Sequence, residues 1–311
     1  MPSHSAAPLP VRPAWSFGLA PALLACLAAP AFFVLRIPWV GWALLAAALL
    51  TALLLERRAA PATDAASRTD RDVEVRAGSA LATARLVGVR RAPSLVRDLS
   101  LIAVGLLIVS AIPLKAELDN VAMVRFGLAL GAAVAVPYAL SRWAYRDGAI
   151  GFPWRGGGRW TTFQWTWLVL VLVLAWLILP FYFITSGVYM NWPVVDTPDL
   201  IARLFVGVGT VGIWDELFFI CTVFALLRRH FPDWQANGLQ AIVFVSFLWE
   251  LGYQAWGPLL TIPFALLQGF IFVATRSLAY VVTVHLLFDA IVFLVLVHAH
   301  NPGVLDWLFL L

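Results

Sequence analysis

The sequence predicts an all-α, polytopic bundle of transmembrane helices, with about nine spans and the N-terminus in the cytoplasm. Three observations lead there. Of the 311 residues, 62% are hydrophobic and 12% charged, and the mean hydropathy is +0.89. Soluble domains carry about 25% charged residues, and half that density cannot cover a water-facing surface. Disorder is excluded as well, because it requires low hydrophobicity. Second, apolar runs of about 20 residues, the length that crosses a hydrocarbon core of roughly 30 Å, recur along the chain. Third, basic residues alternate between successive inter-span loops, as the positive-inside rule requires.

The segments near 16–35 and 38–55 form an N-terminal hairpin over residues 1–55. Leu23-Leu24-Ala25-Cys26 resembles a lipoprotein cleavage box, but the apolar run continues through Leu35 and Arg12 is the lone basic residue before it. That predicts an uncleaved anchor. Residues 56–97 form a cytoplasmic loop. Its first part, Ala59–Asp72, is rich in Ala, Pro, Thr, Asp and Arg and predicts a linker; alternation across Asp72–Arg91 predicts a small hairpin. Segments near 98–114, 121–141 and 163–184 add three spans within 98–200. Segments near 201–227, 237–254, 257–274 and 277–298 make a core over 201–300, followed by a short external tail, 301–311. With this topology 17 of the 21 Lys and Arg residues lie on the cytoplasmic side, and the external loop 185–200 has none. The expected setting is multi-pass and membrane-integral, in a bacterial cytoplasmic membrane. The arginines sit in short inter-span loops, so the net charge of +4 points to membrane lipid and not to nucleic acid. Cys26 and Cys221 both stand in apolar runs, and no disulfide framework is implied.

Thirteen of the 17 acidic residues fall in loops or at span ends. Asp215, Glu216, Glu250 and Asp289 do not, and His285 joins them. An ionisable group at bilayer depth costs about 2.5–3.5 kcal/mol on insertion scales, so such a set marks a functional site. His285 and Asp289 are spaced i, i+4 and share one helical face. Arg203 and Arg228 are 12 and 13 residues from Asp215, roughly 18–20 Å along a helix, beyond ion-pair reach. Four carboxyls with at most one cationic partner must keep protons or bind a cation, which suits proton transfer or a metal site.

These residues carry a resemblance. Asp215-Glu216-Leu217-Phe218-Phe219-Ile220, Ser246-Phe247-Leu248-Trp249-Glu250 and His285-Leu286-Leu287-Phe288-Asp289 resemble the three motifs of the CPBP family of intramembrane proteases, the CAAX prenyl endopeptidase and bacteriocin-processing group. The family motifs are Glu-Glu-x-x-x-Arg, Phe-x-x-x-His and His-x-x-x-Asn/Asp, each on its own helix. The third motif matches in full. In the first, Asp215 replaces Glu and Ile220 replaces Arg; in the second, Ser246 replaces Phe and Glu250 replaces His. The likeness covers about 210–295, including the basic turn Arg228-Arg229 and Gln268-Gly269-Phe270. It implies an endopeptidase acting on a membrane-anchored peptide or protein. Asp215, with Glu216 beside it, would be the general base, His285 would polarise or shuttle a proton, and Asp289 would orient it or hold the oxyanion. Glu250 would stand where a histidine belongs. Glu216, Glu250, His285 and Asp289 also form a candidate ligand set for a divalent, zinc-like metal. Two other readings stay open: a diverged, non-proteolytic member that binds a partner, a lipid-like tail or a cation, and a proton or cation transporter.

Overall fold

The computed structural model describes residues 17–77, 93–156 and 158–309, with side chains for all of these except 59–77. The described residues contain nine α-helical rods, a short 3₁₀ helix at Val188–Asn191 and no strand; the rods carry the labels that follow. They are α1 (Leu19–Phe33), α2 (Pro38–Ala77), α3 (Leu95–Val109), α4 (Asn120–Ala139), α5 (Thr162–Thr185), α6 (Pro198–Asp215), α7 (Asp233–Leu251), α8 (Pro258–Thr275) and α9 (Leu278–His300). Capping side chains set many of the starts. Ser94, Asp119, Thr161, Thr197 and Ser277 each accept from the free amides of the first turn of α3, α4, α5, α6 and α9. At α5 the cap is reciprocal, with Gln164 reaching back to Thr161. Pro198 opens α6, where its missing N–H is not needed.

Each expected span is therefore helical, but among the described residues six helices have the length and apolarity to cross a membrane: Pro38–Arg58, Asn120–Ala144, Thr162–Thr185, Pro198–Leu227, Pro258–Thr275 and Leu278–His300. The other three fall short for physical reasons. α1 and α3 have 15 residues each, about 22 Å of helix against a core of roughly 30 Å. α7 opens with the polar Asp233, Gln235, Asn237 and Gln240, so its first two turns are not apolar.

Loop 56–97 also departs from expectation. The supposed linker at 59–72, and the first residues of the supposed hairpin, belong to α2, which runs unbroken to Ala77. Alanine and arginine are strong helix formers, no glycine interrupts the chain between Gly41 and Gly78, and the helix continues through Pro61. The rest of the hairpin expectation, 78–92, lies outside the described residues. The tail differs too. Phe309 is buried, and the Trp176 indole donates to the Leu308 carbonyl at 2.8 Å, which ties the tail back onto α5. His298, at the end of α9, is buried beside Asp306.

The core pair is α6 and α9. In their most apolar stretches 72% and 61% of the residues are buried, against 22% in α2. α6 packs on α9, α4 and α7, and α8 closes against α7 and α9. α1 lies between α2 and α7, presenting the buried small residues Ala22, Ala25, Ala28 and Ala29, which let backbones approach closely.

A second polar cluster ties α3, the α4–α5 loop and the end of α6 together. The Arg229 guanidinium bonds Asp98 at 2.7 Å and Asp147 at 3.2 Å, and His230 bonds Asp98 at 2.6 Å. Partial burial pushes the Asp147 carboxyl up, but hydrogen bonds from Ser141, Arg229 and the Ala149 amide hold it below its ordinary value of 3.8. A depressed carboxyl stabilises the fold above its unfolded pKa, and the contribution fades as the pH falls through the folded pKa. Asp147→Asn is thus expected to lower the unfolding midpoint in detergent at pH 7. The gap from wild type should narrow as the pH is taken down into the carboxylate range. A gap that does not change with pH would contradict this tie.

Candidate active site

At Asp215 the α-helical course of α6 ends, and the chain continues as a wider π-helix over Glu216–Phe224 before a last α-turn, Ala225–Leu227. The Thr222 hydroxyl bonds the Leu217 carbonyl five residues back at 2.9 Å, the spacing of the wider helix. Such segments interrupt α-helices frequently at functional sites. Trp214, just before it, stacks on Phe218 with ring centroids 5.0 Å apart and donates its indole N–H to the Leu130 carbonyl of α4 at 2.7 Å. Phe219 and Phe247 complete an aromatic wedge between α6 and α7. This wedge sets the rotation of the helix that carries Asp215 and Glu216.

His285 of α9 stands between those two acids. Consecutive helix residues point about 100° apart, and one imidazole with nitrogens on opposite edges can meet both. Its Nδ1 lies 2.7 Å from Glu216 Oε1, and its Nε2 lies 3.6 Å from Asp215 Oδ2 and 3.8 Å from Asp289 Oδ1. All four side chains are buried: Asp215 and Glu216 are 1% exposed, His285 4% and Asp289 7%. Gln268 of α8 donates its amide to the same Glu216 Oε1 at 2.7 Å and to the Val281 carbonyl at 3.3 Å. Because Gln268 already donates to Oε1, that oxygen acts as an acceptor, and the ring supplies Nδ1–H. Nε2 is turned toward Asp215 and Asp289. Phe264 holds the ring edge-on at 5.0 Å.

A cavity of about 240 Å³ opens onto this cluster. Asp215, His285 and Asp289 line it, along with the apolar Phe126, Leu204 and Phe288. Glu216 does not line it. The two adjacent acids therefore have different places, Asp215 facing the cavity and Glu216 behind the imidazole. Asp289 fits because α6 has a glycine opposite: a Cβ at Gly212 would overlap Asp289 Oδ2.

Glu250 is the exception among the expected site residues. Its carboxylate accepts from the Leu114 amide and faces Arg36, and it is only half-buried. The α7 residues that line the cavity are Leu248 and Leu251. Two residues along a helix is a turn of roughly 200°, so when Leu248 faces the cavity, Glu250 faces away. The candidate metal set loses a member on these grounds. Glu216 Oε1 is already shared by His285 and Gln268, and no group of three or more His, Cys, Asp or Glu side chains among the described residues is disposed to hold an ion. As placed here, Glu216, Glu250, His285 and Asp289 do not converge on one point.

Residues 197–291 match the family model described as Rce1-like, type II CAAX prenyl endopeptidase. The matched stretch begins at the cap of α6 and ends two residues beyond Asp289, so it contains the whole cluster. It supports membership in the CPBP family. Around the matched stretch, several helices among the described residues are long and apolar enough to span a membrane. No curated protein and no solved structure matches the chain.

Reasoning from sequence passed over Gln268 as a site residue. A signal was available, since an amide in the middle of an apolar helix needs a partner there. The close approach of α6 and α9 has a direct test. Gly212→Ala forces Asp289 or α9 to shift and is expected to lower stability by about 1–3 kcal/mol, as overpacking does. Gly131→Ala, which meets nothing within 4 Å, should be neutral or slightly stabilising. Equal midpoints for the two variants would show that Asp289 does not sit against Gly212.

Proposed function

We propose that this protein is an intramembrane endopeptidase of the CAAX type. In this reading it lies in a bacterial cytoplasmic membrane with its N-terminus in the cytoplasm, and it hydrolyses a peptide bond of a membrane-anchored substrate. The supporting observation is the His285 ring, held at Nδ1 by Glu216 while Nε2 faces two carboxyls that line the cavity. Water admitted there gives a proton to Asp215 as its oxygen attacks the scissile carbonyl carbon. The C=O electron pair moves onto oxygen. When the tetrahedral species collapses, the C–N bond breaks and the departing nitrogen takes a proton through His285 Nε2, leaving a carboxylic acid and an amine. Glu216 does not touch the reacting atoms. It is a positioning residue that fixes the ring's tautomer and angle, in the way outer-shell partners orient a working histidine. The apolar cavity walls exclude bulk water and strengthen these interactions.

A quenched-fluorescence peptide with an S-farnesylated cysteine four residues from its C-terminus, presented in liposomes, is a suitable probe. Asp215→Asn and His285→Ala are expected to lower kcat by at least 10²–10⁴-fold, the usual contribution of a positioned acid or base. Glu216→Gln should lower it by about 10–100-fold with little change in KM. Cleavage at the wild-type rate by Asp215→Asn and His285→Ala would refute the proteolytic reading.

A second reading has its own support. Ile220, in the place of the motif arginine, is fully packed, and Glu250 lies away from the cavity that a second histidine would line. On that reading the cavity holds a lipid-like tail without chemistry. Wild-type protein that binds the farnesylated peptide but leaves it intact would favour it.

A further inference from the structure

The second motif ends on a carboxylate that faces away from the cavity, so the donor the family's histidine would offer has to come from elsewhere. The chain three residues further on provides one. α7 stops at Leu251, and Gly252, at φ +137°, reverses the backbone. Few L-residues adopt that conformation, and a Cβ there would also collide with the Trp192 indole nitrogen. The turn is held on both sides. Asn191 donates to the Gly252 carbonyl at 3.0 Å, and the Tyr182 hydroxyl donates to the Gln254 carbonyl at 2.8 Å. The reversal carries Tyr253 into the lining of the cavity that Asp215, His285 and Asp289 share.

There the Tyr253 ring is fixed edge-on against Phe183 at 5.6 Å and Trp192 at 5.7 Å. Its hydroxyl makes no hydrogen bond among the described residues. It shares the cavity with the Asp289 and Asp215 carboxyls. A tyrosine hydroxyl at neutral pH is a donor, which a carboxylate at that depth would not be.

We propose that Tyr253 is a catalytic residue of this site, donating a hydrogen bond to the oxyanion formed from the scissile carbonyl and so replacing the histidine missing at position 250. The assignment rests on the proteolytic reading above and deepens it. Tyr253 keeps its proton throughout. The electron pair of the C=O bond moves onto oxygen, the phenol O–H shortens its contact with that oxygen, and the pair returns to carbon when the C–N bond breaks. The donor is aimed at charge that develops only in the transition state, so its effect should appear in kcat and not in KM.

The test is Tyr253→Phe, which keeps the ring packing and removes only the hydroxyl, assayed with the farnesylated peptide in liposomes. A 10²–10³-fold fall in kcat with KM unchanged is expected, the usual loss for one oxyanion donor. A phosphonate analogue of the peptide, whose charged oxygen stands in for the oxyanion, should bind Tyr253→Phe weaker by a comparable factor, while the uncleaved peptide should bind both proteins alike. Glu250→Gln, outside the cavity, should keep the wild-type kcat. Wild-type kcat in Tyr253→Phe would overturn the role of Tyr253 and leave the protease reading intact. So would equal phosphonate affinity, which would mark a slow variant as merely misfolded. A wild-type protein that cleaves nothing would overturn both.

Discussion

The bond between the His285 ring and Glu216, 2.7 Å long and shared with the Gln268 amide, is the contact on which the rest of the site depends. A buried imidazole in an apolar bundle has few partners, and the first one it takes decides which nitrogen faces outward. With Nδ1 engaged behind the ring, Nε2 is turned to Asp215, Asp289 and the cavity. Three helices are locked by that choice, because Glu216 belongs to α6, Gln268 to α8 and His285 to α9. The bonds to Glu216 Oε1 join the three helices, while Asp215 Oδ1, Glu216 Oε2 and Gln268 Oε1 are buried with no hydrogen-bond partner among the described residues. Removing any one would leave its neighbours buried without partners, at about 1–3 kcal/mol for each group.

The surroundings serve that geometry. The aromatic wedge of Trp214, Phe218, Phe219 and Phe247 sets the rotation of α6, and the π-helical stretch begins at the residue that grips His285. Gly212 lets α9 come close enough for the Asp289 carboxyl to enter the same space. The helices remote from the site, α1 and α2, make their contacts through small buried alanines and contribute no ionisable group to the cavity.

Much of this was legible in the sequence, and the failures have physical causes. Asp215, Glu216, His285 and Asp289 stood out because charge is expensive at bilayer depth, and the structure brings all four together. The different places of Asp215 and Glu216 were not legible, since which neighbour faces the cavity depends on helix rotation, and that is set by ring packing. Glu250 was misplaced for a related reason. Motif spacing locates a residue along α7 but does not say which face it occupies, and Leu248 and Leu251 take the cavity face. Tyr253 was not legible as a site residue because the helix end and the reversal at Gly252 are features of tertiary packing. The nine apolar segments do mark nine helices, yet length on the page was not length in the fold. α1 and α3 end early, whereas α2 runs far beyond its apolar part, its alanine- and arginine-rich continuation staying helical even through Pro61.

The most direct measurement is solid-state ¹⁵N NMR of the histidine-labelled protein in lipid, with the His285 signals among the five histidines assigned by their loss in His285→Gln. The expected spectrum shows a neutral ring protonated at Nδ1 and unprotonated at Nε2, with Glu216→Ala abolishing that preference. A ring protonated at Nε2, or one whose tautomer does not respond to Glu216→Ala, would contradict the arrangement on which this account rests.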